Sequence, residues 1–410
     1  MRTYLSADRV IDGTGAVIAD TGVLVADGEI LDIGPADAVG AFDERIDVPG
    51  GTLLPGLIDA HVHTSFNGEP SYMEIVYEMT TAERTLRSVR NARRDLHAGF
   101  TTIRVLGERS HLDVALREAI ANGEIEGPRV VPAGQNLTVT GGHADLWAAH
   151  DIEYEQGLGG IMVDGPMGFR RGAREQIKRG AEVVKLVVTG GVMSMGSDPG
   201  ASHLAPDEIE AAVEEADRHG VMTAAHCHGA DGARVSVEKG IDTIEHGTYL
   251  NRSPEVIERM AEEGTFLVPT LSATEAMIEG MREELPDPYV EKAEAGMGEG
   301  TESLRLAHEA GVPIACGTDA GSPANRHGEN ATELALMVEA GLTEMEAIVA
   351  ATGTASRAVG RAETIGTLEP GKAADVIAVE GDPLEDIDLL RDVSLVMKGG
   401  TVVRDDRTAV

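Results

Sequence analysis

Basic and aromatic side chains are scarce in this sequence. Lysine stands only at Lys178, Lys185, Lys239, Lys292, Lys372 and Lys398, and Phe, Trp and Tyr together make 3% of the residues. With 34 basic against 70 acidic side chains the formal net charge is −36. No basic face is available for phosphates, which excludes nucleic acid as a partner. Cysteine occurs only as Cys227 and Cys316, each inside an apolar strand-like run, so no disulfide framework is expected and a reducing, cytoplasmic setting fits. No apolar run approaches the roughly 18 residues that span a bilayer. Met1–Gly15 lacks an apolar stretch behind a basic start, so neither a membrane span nor a secretory leader is expected. Dispersed acid, little lysine and few aromatics read as the adaptation of a halophilic protein, where salt screens self-repulsion; an acidic mesophilic protein is the alternative.

What is present is an ordinary apolar fraction, 42% of 410 residues, enough for one large core and a smaller one. Short strands are expected at Arg9–Asp12, Gly22–Ala26 and Ile30–Ile33, the last two joined by the Asp27-Gly28 turn. The same texture returns at Asp375–Val379, Leu395–Met397 and Thr401–Arg404. Residues 1–55 and 362–410 therefore read as one small β-sandwich domain built from both chain ends. Between them, over 56–361, eight apolar strand-like runs alternate with helical patterns: Leu54–His63, Thr101–Leu106, Val130–Ala133, Val183–Val188, Met222–His228, Thr243–His246, Phe266–Leu271 and Pro313–Thr318. Helices are expected at Glu83–His97, Pro206–His219, Pro254–Glu263 and Thr301–Ala310. This is the pattern of an α/β fold, a (β/α)₈ TIM barrel with its site at the C-terminal ends of the strands. A doubly wound open sheet would need a Gly-rich phosphate fingerprint, which the early strands lack.

The residues that carry chemistry sit at those strand ends. In Pro55-Gly-Leu-Ile-Asp-Ala-His61-Val-His63, the i, i+2 spacing turns both histidines to one face of a strand. Lys185 lies in the apolar run Val183–Val188. There a charged amine is costly, and either it snorkels to the strand end or it is neutral and able to take up CO₂ as a carbamate. His226 and His246 each close an apolar strand, and histidine is the commonest metal ligand. Cys227, between His226 and His228, alternates away from that face and reads as packing. Asp319 ends the eighth run; alone, such an aspartate is more often a turn or helix cap.

Together these segments resemble the amidohydrolase superfamily, in its binuclear branch with a carboxylated lysine, over nearly the whole chain. The stretches Lys185–Ser194, Thr140–His143, Ala225–Gly229, Ile244–Gly247 and Gly317–Gly321 are similar to prolidase-like (Xaa-Pro) dipeptidases and zinc carboxypeptidases of that superfamily. The resemblance implies that His61 and His63 hold the more buried of two divalent ions and His226 and His246 the outer one. It implies that Lys185 bridges the ions as a carbamate and that Asp319 binds metal and acts as acid and base. His143 would polarise the scissile carbonyl, while His228 stands where some relatives carry a tyrosine against the substrate carboxylate. Arg326 and His327, just beyond Asp319, are further candidates for that carboxylate. Zinc fits mixed nitrogen and oxygen ligands. The implied reaction is attack by a metal-bridging hydroxide on an amide or peptide bond of a dipeptide or N-acyl amino acid, in an enzyme that forms homo-oligomers. The alternatives are an imidazolonepropionase-like ring hydrolase or deaminase with a single metal, and a non-catalytic dihydropyrimidinase-like scaffold. Loops Ser65–Tyr77, Leu146–Phe169, Gly196–His203 and Ser272–Tyr289 are expected to shape the pocket.

Overall fold

A computed structural model of the chain describes residues 1–70, 78–145, 159–194, 196–280 and 282–407. The two ends of the chain meet in one seven-stranded sheet. Its first four strands are β1 (Arg2–Ile11), β2 (Val17–Ala26), β3 (Glu29–Gly34) and β4 (Glu44–Pro55). The far end adds β14 (Val376–Glu380), β15 (Leu395–Lys398) and β16 (Thr401–Asp405), and the order is β16-β15-β14-β4-β1-β2-β3. The join is β4 against β14, with Leu53 opposite Ala378. Leu5, Val23, Ile46, Leu53, Val376 and Leu395, contributed by both ends, share one apolar core. The expected sandwich is, in its hydrogen bonding, a single continuous sheet, because β14 completes the ladder begun by β1 and β4.

The middle of the chain carries parallel strands in two ladders. One contains β5 (Leu57–Val62), β6 (Phe100–Val105) and β7 (Arg129–Pro132). The other runs β13 (Phe266–Val268), β12 (Thr243–His246), β11 (Met222–Cys227), β10 (Val183–Val187), β8 (Asn136–Thr138) and β9 (Gly160–Met162). Seven of the eight expected runs hold a strand; β8 and β9, only three residues each, were too short to read from periodicity. The eighth run, Pro313–Thr318, is not a ladder strand among the described residues. It touches its neighbours through isolated bridges, Leu267 with Ile314 and Val62 with Ala320, and through Ala60 N–H donating to Cys316 at 2.9 Å. Pro313 has no N–H to give, and Asp319 adopts a positive φ of 58°, which ends the extended run. The described parallel strands therefore form no single closed ladder; the expected barrel is interrupted on either side of this segment and between β7 and β10, where Glu182 N–H donates to Pro132.

Helices Pro206–His219 and Pro254–Glu263 have the bounds expected of them, with proline in the first turn and left-handed Gly220 and Gly264 at their ends. The helix expected at Thr301–Ala310 is the last part of a longer one, Asp287–Glu309. Gly296, Gly298 and Gly300 masked its first half in the sequence. Two of them have a structural use: a Cβ on Gly296 or Gly300 would meet the Thr248 side chain at 3.2 or 4.0 Å.

Candidate active site

Six residues from distant segments gather at the C-terminal ends of these strands. His61 and His63 come from β5 and its end, Lys185 from β10, His226 from β11, His246 from β12, and Asp319 from the turn after the eighth run. All line one cavity of about 820 Å³. Asp319 Oδ1 lies 3.2 Å from His63 Nε2 and 3.6 Å from His61 Nε2. His226 Nδ1 and His246 Nε2 are 2.9 Å apart. The ring atoms and carboxylate of His61, His63 and Asp319 form one compact donor cluster, and His226, His228 and His246 form a second. The two clusters adjoin, the His61 and His246 ring centroids being 5.1 Å apart.

The proton positions follow from the neighbours. His61 Nδ1 faces Glu245 Oε2 at 2.9 Å and His63 Nδ1 faces the Gly107 carbonyl at 3.2 Å, so both Nδ1 atoms donate. In the neutral rings this leaves the Nε2 lone pairs directed at the Asp319 carboxylate. His226 Nε2 likewise faces the Gly190 carbonyl at 3.1 Å, which turns its Nδ1 lone pair toward His246. Lone pairs converging on a carboxylate repel unless a cation or proton lies between them; against the effect of burial, contact with Asp319 raises the His63 pKa, and each cluster offers three donor atoms close enough together to hold a cation. Burial, then the charge of Lys185, pushes the His61 pKa down to about 4. Burial also holds His226 and His246 well below the usual histidine range. Asp319 is ionised: contact with His63 and the charges around it outweigh the cost of burial.

Lys185 is 2% exposed and its Nζ has no hydrogen-bond partner among the described residues. Burial lowers its pKa to about 8, with Arg104 adding to the effect and Glu245 opposing it. A neutral amine is thus within reach near pH 7, and the orphaned nitrogen is the kind of atom a carbamate would satisfy. Of the two sequence readings, snorkelling is overturned, because the amine stays buried and unpartnered.

The backbone at the site is held in conformations that L-residues seldom adopt. His246 has φ 71°, Thr270 φ 51° and Asp319 φ 58°. Thr270 Oγ1 in turn meets His246 Nδ1 at 2.8 Å. Such angles persist only where the surroundings fix them, and they cluster at functional sites.

Three supporting residues escaped the sequence reading. Arg104 is wholly buried; it donates to Glu245 Oε1 at 2.8 Å and to the carbonyls of Ala60 and Ala358. Glu245 then spans from Arg104 to His61. Asp59 accepts from His61 N–H, Thr318 N–H, Thr318 Oγ1–H and Asn330 Nδ2–H, tying β5 to the Asp319 turn. Each is a charge inside an apolar run, the same signal that singled out Lys185.

The candidate substrate residues divide. His143 and His228 line the cavity. Burial and the nearby His228 push the His143 pKa down to about 3, while His228 stacks on His246 at 4.6 Å and bonds Thr248 Oγ1 through Nδ1. Arg326 and His327 do not line it. Arg326 is exposed, and His327 is pinned behind the site between Asp95 Oδ2 at 2.8 Å and the His63 carbonyl at 3.1 Å. The carboxylate of Asp95 captures the ring, so that assignment is corrected to support of His63. Cys227 Sγ–H donates to the Gly229 carbonyl within the core, as packing. Among the four pocket loops, 71–77, 146–158 and 281 lie outside the described residues. Phe66, Pro70, Met277 and Tyr289 line the cavity, and Val192–Ser194 do so in place of the expected Gly196–His203. Asp198 and Ser197 instead pack behind Gly190 and Gly191, with the Ser197 hydroxyl accepting from Gly191 N–H.

The chain is similar to known proteins over nearly its whole length. Ochratoxinase of Aspergillus niger is 33% identical over 98% of this chain and 86% of its own length. A solved structure of a Xaa-Pro dipeptidase with bound methionine in the active site superposes with a TM-score of 0.91 at 34% identity, covering 98% of this chain and all of the other. Imidazolonepropionase of Geobacillus thermodenitrificans is 27% identical over 97% of this chain and 91% of its own length. Residues 52–403 match the amidohydrolase family model, and the chain belongs to that family.

Proposed function

We propose that this chain hydrolyses the amide bond of a dipeptide or an N-acyl amino acid, with two divalent cations, zinc by donor type, at the mouth of the strands. Family membership makes it a hydrolase of amide carbon–nitrogen bonds. The finer reading is supported by one arrangement: His61 and His63 turn their Nε2 atoms to the Asp319 carboxylate, in a cavity that Lys185, its Nζ without a hydrogen-bond partner among the described residues, also lines. His61, His63, Lys185 as a carbamate and Asp319 would hold one ion, and His226 and His246 with the same carbamate the other. When bound, such a pair supplies Lewis acidity and lowers the pKa of water to about 7.

The rest falls to the chain's own residues. Asp319, close to both histidines, takes the proton of the attacking water and returns it to the departing amine. His143 donates from Nε2 to the carbonyl oxygen as negative charge gathers there. Glu245, anchored by Arg104, keeps His61 in the Nδ1–H form. His228 and the apolar wall of Phe66, Leu271, Met277 and Tyr289 receive the substrate body. Similarity to a Xaa-Pro dipeptidase and to ochratoxinase supports this reading.

The domain division at 1–55 with 362–410 and at 56–361 belongs to the same reading, with only Gly56 separating β4 from β5. So do the homo-oligomer and the cytoplasmic setting; Cys227 and Cys316 are free and buried, and no described helix is long and apolar enough to cross a membrane. The test is Asp319→Asn in the zinc-loaded enzyme, assayed on a dipeptide and N-acyl amino acid library. Turnover should fall by about 10²–10⁴-fold with protein fold intact; near-normal turnover would remove Asp319 from the role.

A further inference from the structure

His143 is clamped on several sides. Its ring lies against the backbone of Gly191, where an added Cβ would come within 2.4–2.5 Å of ring atoms. Its Nδ1 is 2.6 Å from Ser194 Oγ, and its carbonyl accepts from Thr138 Oγ1 at 2.7 Å. The segment that supplies Gly191 and Ser194 is tied down in turn. Lys292, on the helix Asp287–Glu309, donates to the Ser194 carbonyl at 2.7 Å and to the Gly191 carbonyl at 3.4 Å.

Ser194 is 5% exposed, and His143 is its hydroxyl's hydrogen-bond partner. If Nδ1–H donated to Oγ, the buried hydroxyl proton would have no acceptor among the described residues, and leaving a buried donor unpaired is costly. The satisfied arrangement has Oγ–H donating to Nδ1. A neutral imidazole carries one N–H, so its proton then sits on Nε2, the nitrogen left for the cavity.

We propose that Ser194 is a positioning residue that fixes the Nε2–H tautomer and the angle of His143, with Lys292 bracing the segment from the neighbouring helix. The proposal rests on the reading of His143 as a donor to the reacting carbonyl. Sequence alone gave Ser194 no role beyond the end of a motif, and Lys292 none.

Two measurements test it. Kinetics use the zinc-loaded enzyme and the dipeptide that the wild type turns over fastest. Ser194→Ala should lower kcat by about 10–100-fold, the range for loss of an orienting partner, with KM changed by less than about threefold and zinc content unchanged. Ser194→Thr, which keeps the hydroxyl, should restore most of the rate. In a His143→Ala background the same Ser194→Ala change should cost almost nothing, because its effect passes through the ring. An equal loss in both backgrounds, or none in the wild type, would overturn the proposal. The second measurement needs no turnover: long-range ¹H–¹⁵N spectra of the histidine side chains, with His143 assigned by the His143→Ala variant. Nδ1 should be unprotonated and Nε2 protonated; the reverse tautomer contradicts the assignment whatever the substrate proves to be.

Discussion

Arg104 and Glu245 are an ion pair with no exposed atoms at the heart of the site. Removing one member leaves the other charge buried without compensation, which costs about 3–5 kcal/mol. Arg104→Met should therefore destabilise the fold by that amount in urea denaturation, and it should weaken zinc binding because Glu245, no longer anchored by Arg104, holds His61 less firmly. A variant as stable as the wild type would show that Glu245 finds another partner or takes up a proton. The same residues mark the limit of reading single positions. His61, His63, Lys185, His226, His246 and Asp319 were legible because strand alternation and strand-end placement point them the same way. Arg104, Glu245 and Asp59 sit in equally apolar runs, but their partners lie far away in sequence: Arg104 to Glu245 spans 141 residues and Asp59 to Asn330 spans 271. His327 failed in the opposite sense. Its nearness to Asp319 in the chain suggested the pocket, yet Asp95, on the helix Thr81–His97, holds it behind the site.

At the scale of elements, helix boundaries were legible where local chemistry fixes them. Proline can start a helix whose first N–H groups are unpaired in any case, and glycine ends one by accepting a left-handed φ, as Gly220 does at 65°. The helix Glu344–Ala350 begins with a capping box in which Thr343 Oγ1 accepts from Glu346 N–H and the Glu346 carboxylate accepts from Thr343 N–H at 2.8 Å. Thr343→Ala should cost about 1 kcal/mol of stability, read as a lower urea midpoint with an unchanged slope; no shift would mean that solvent caps the helix as well. What local chemistry did not reveal was pairing. The eighth run has strand composition, but the left-handed Asp319 and the proline at its start leave it bridged rather than laddered. That break has a use at the site, since the turn it creates brings the Asp319 carboxylate over His63.

Over the whole molecule the dominant quantity is charge. A formal net charge of −36 makes the compact state repel itself. Added salt shortens the screening length from about 10 Å at 0.1 M to about 3 Å at 1 M, which relieves that repulsion. It also weakens surface pairs such as Arg179–Glu175 and Arg234–Glu238, but exposed pairs contribute only about 0–1 kcal/mol each. Repulsion should win, so Tm should rise with potassium chloride over that range; a falling Tm would contradict the reading of the composition as an adaptation to salt. The two ends of the chain closing one sheet, and the parallel strands presenting their C-terminal ends to one cavity, were both visible as texture in the sequence. The continuity of the terminal sheet was not, because it depends on which strand β4 meets.

The central claim is that the chain's own donors grip two cations beside a buried lysine. Zinc titration of the metal-free protein, followed by mass spectrometry of the native complex, tests it most directly. The account predicts two zinc ions per chain together with a CO₂ adduct that Lys185→Met abolishes. A single ion with no adduct would contradict it and point to the mononuclear ring-hydrolase chemistry instead.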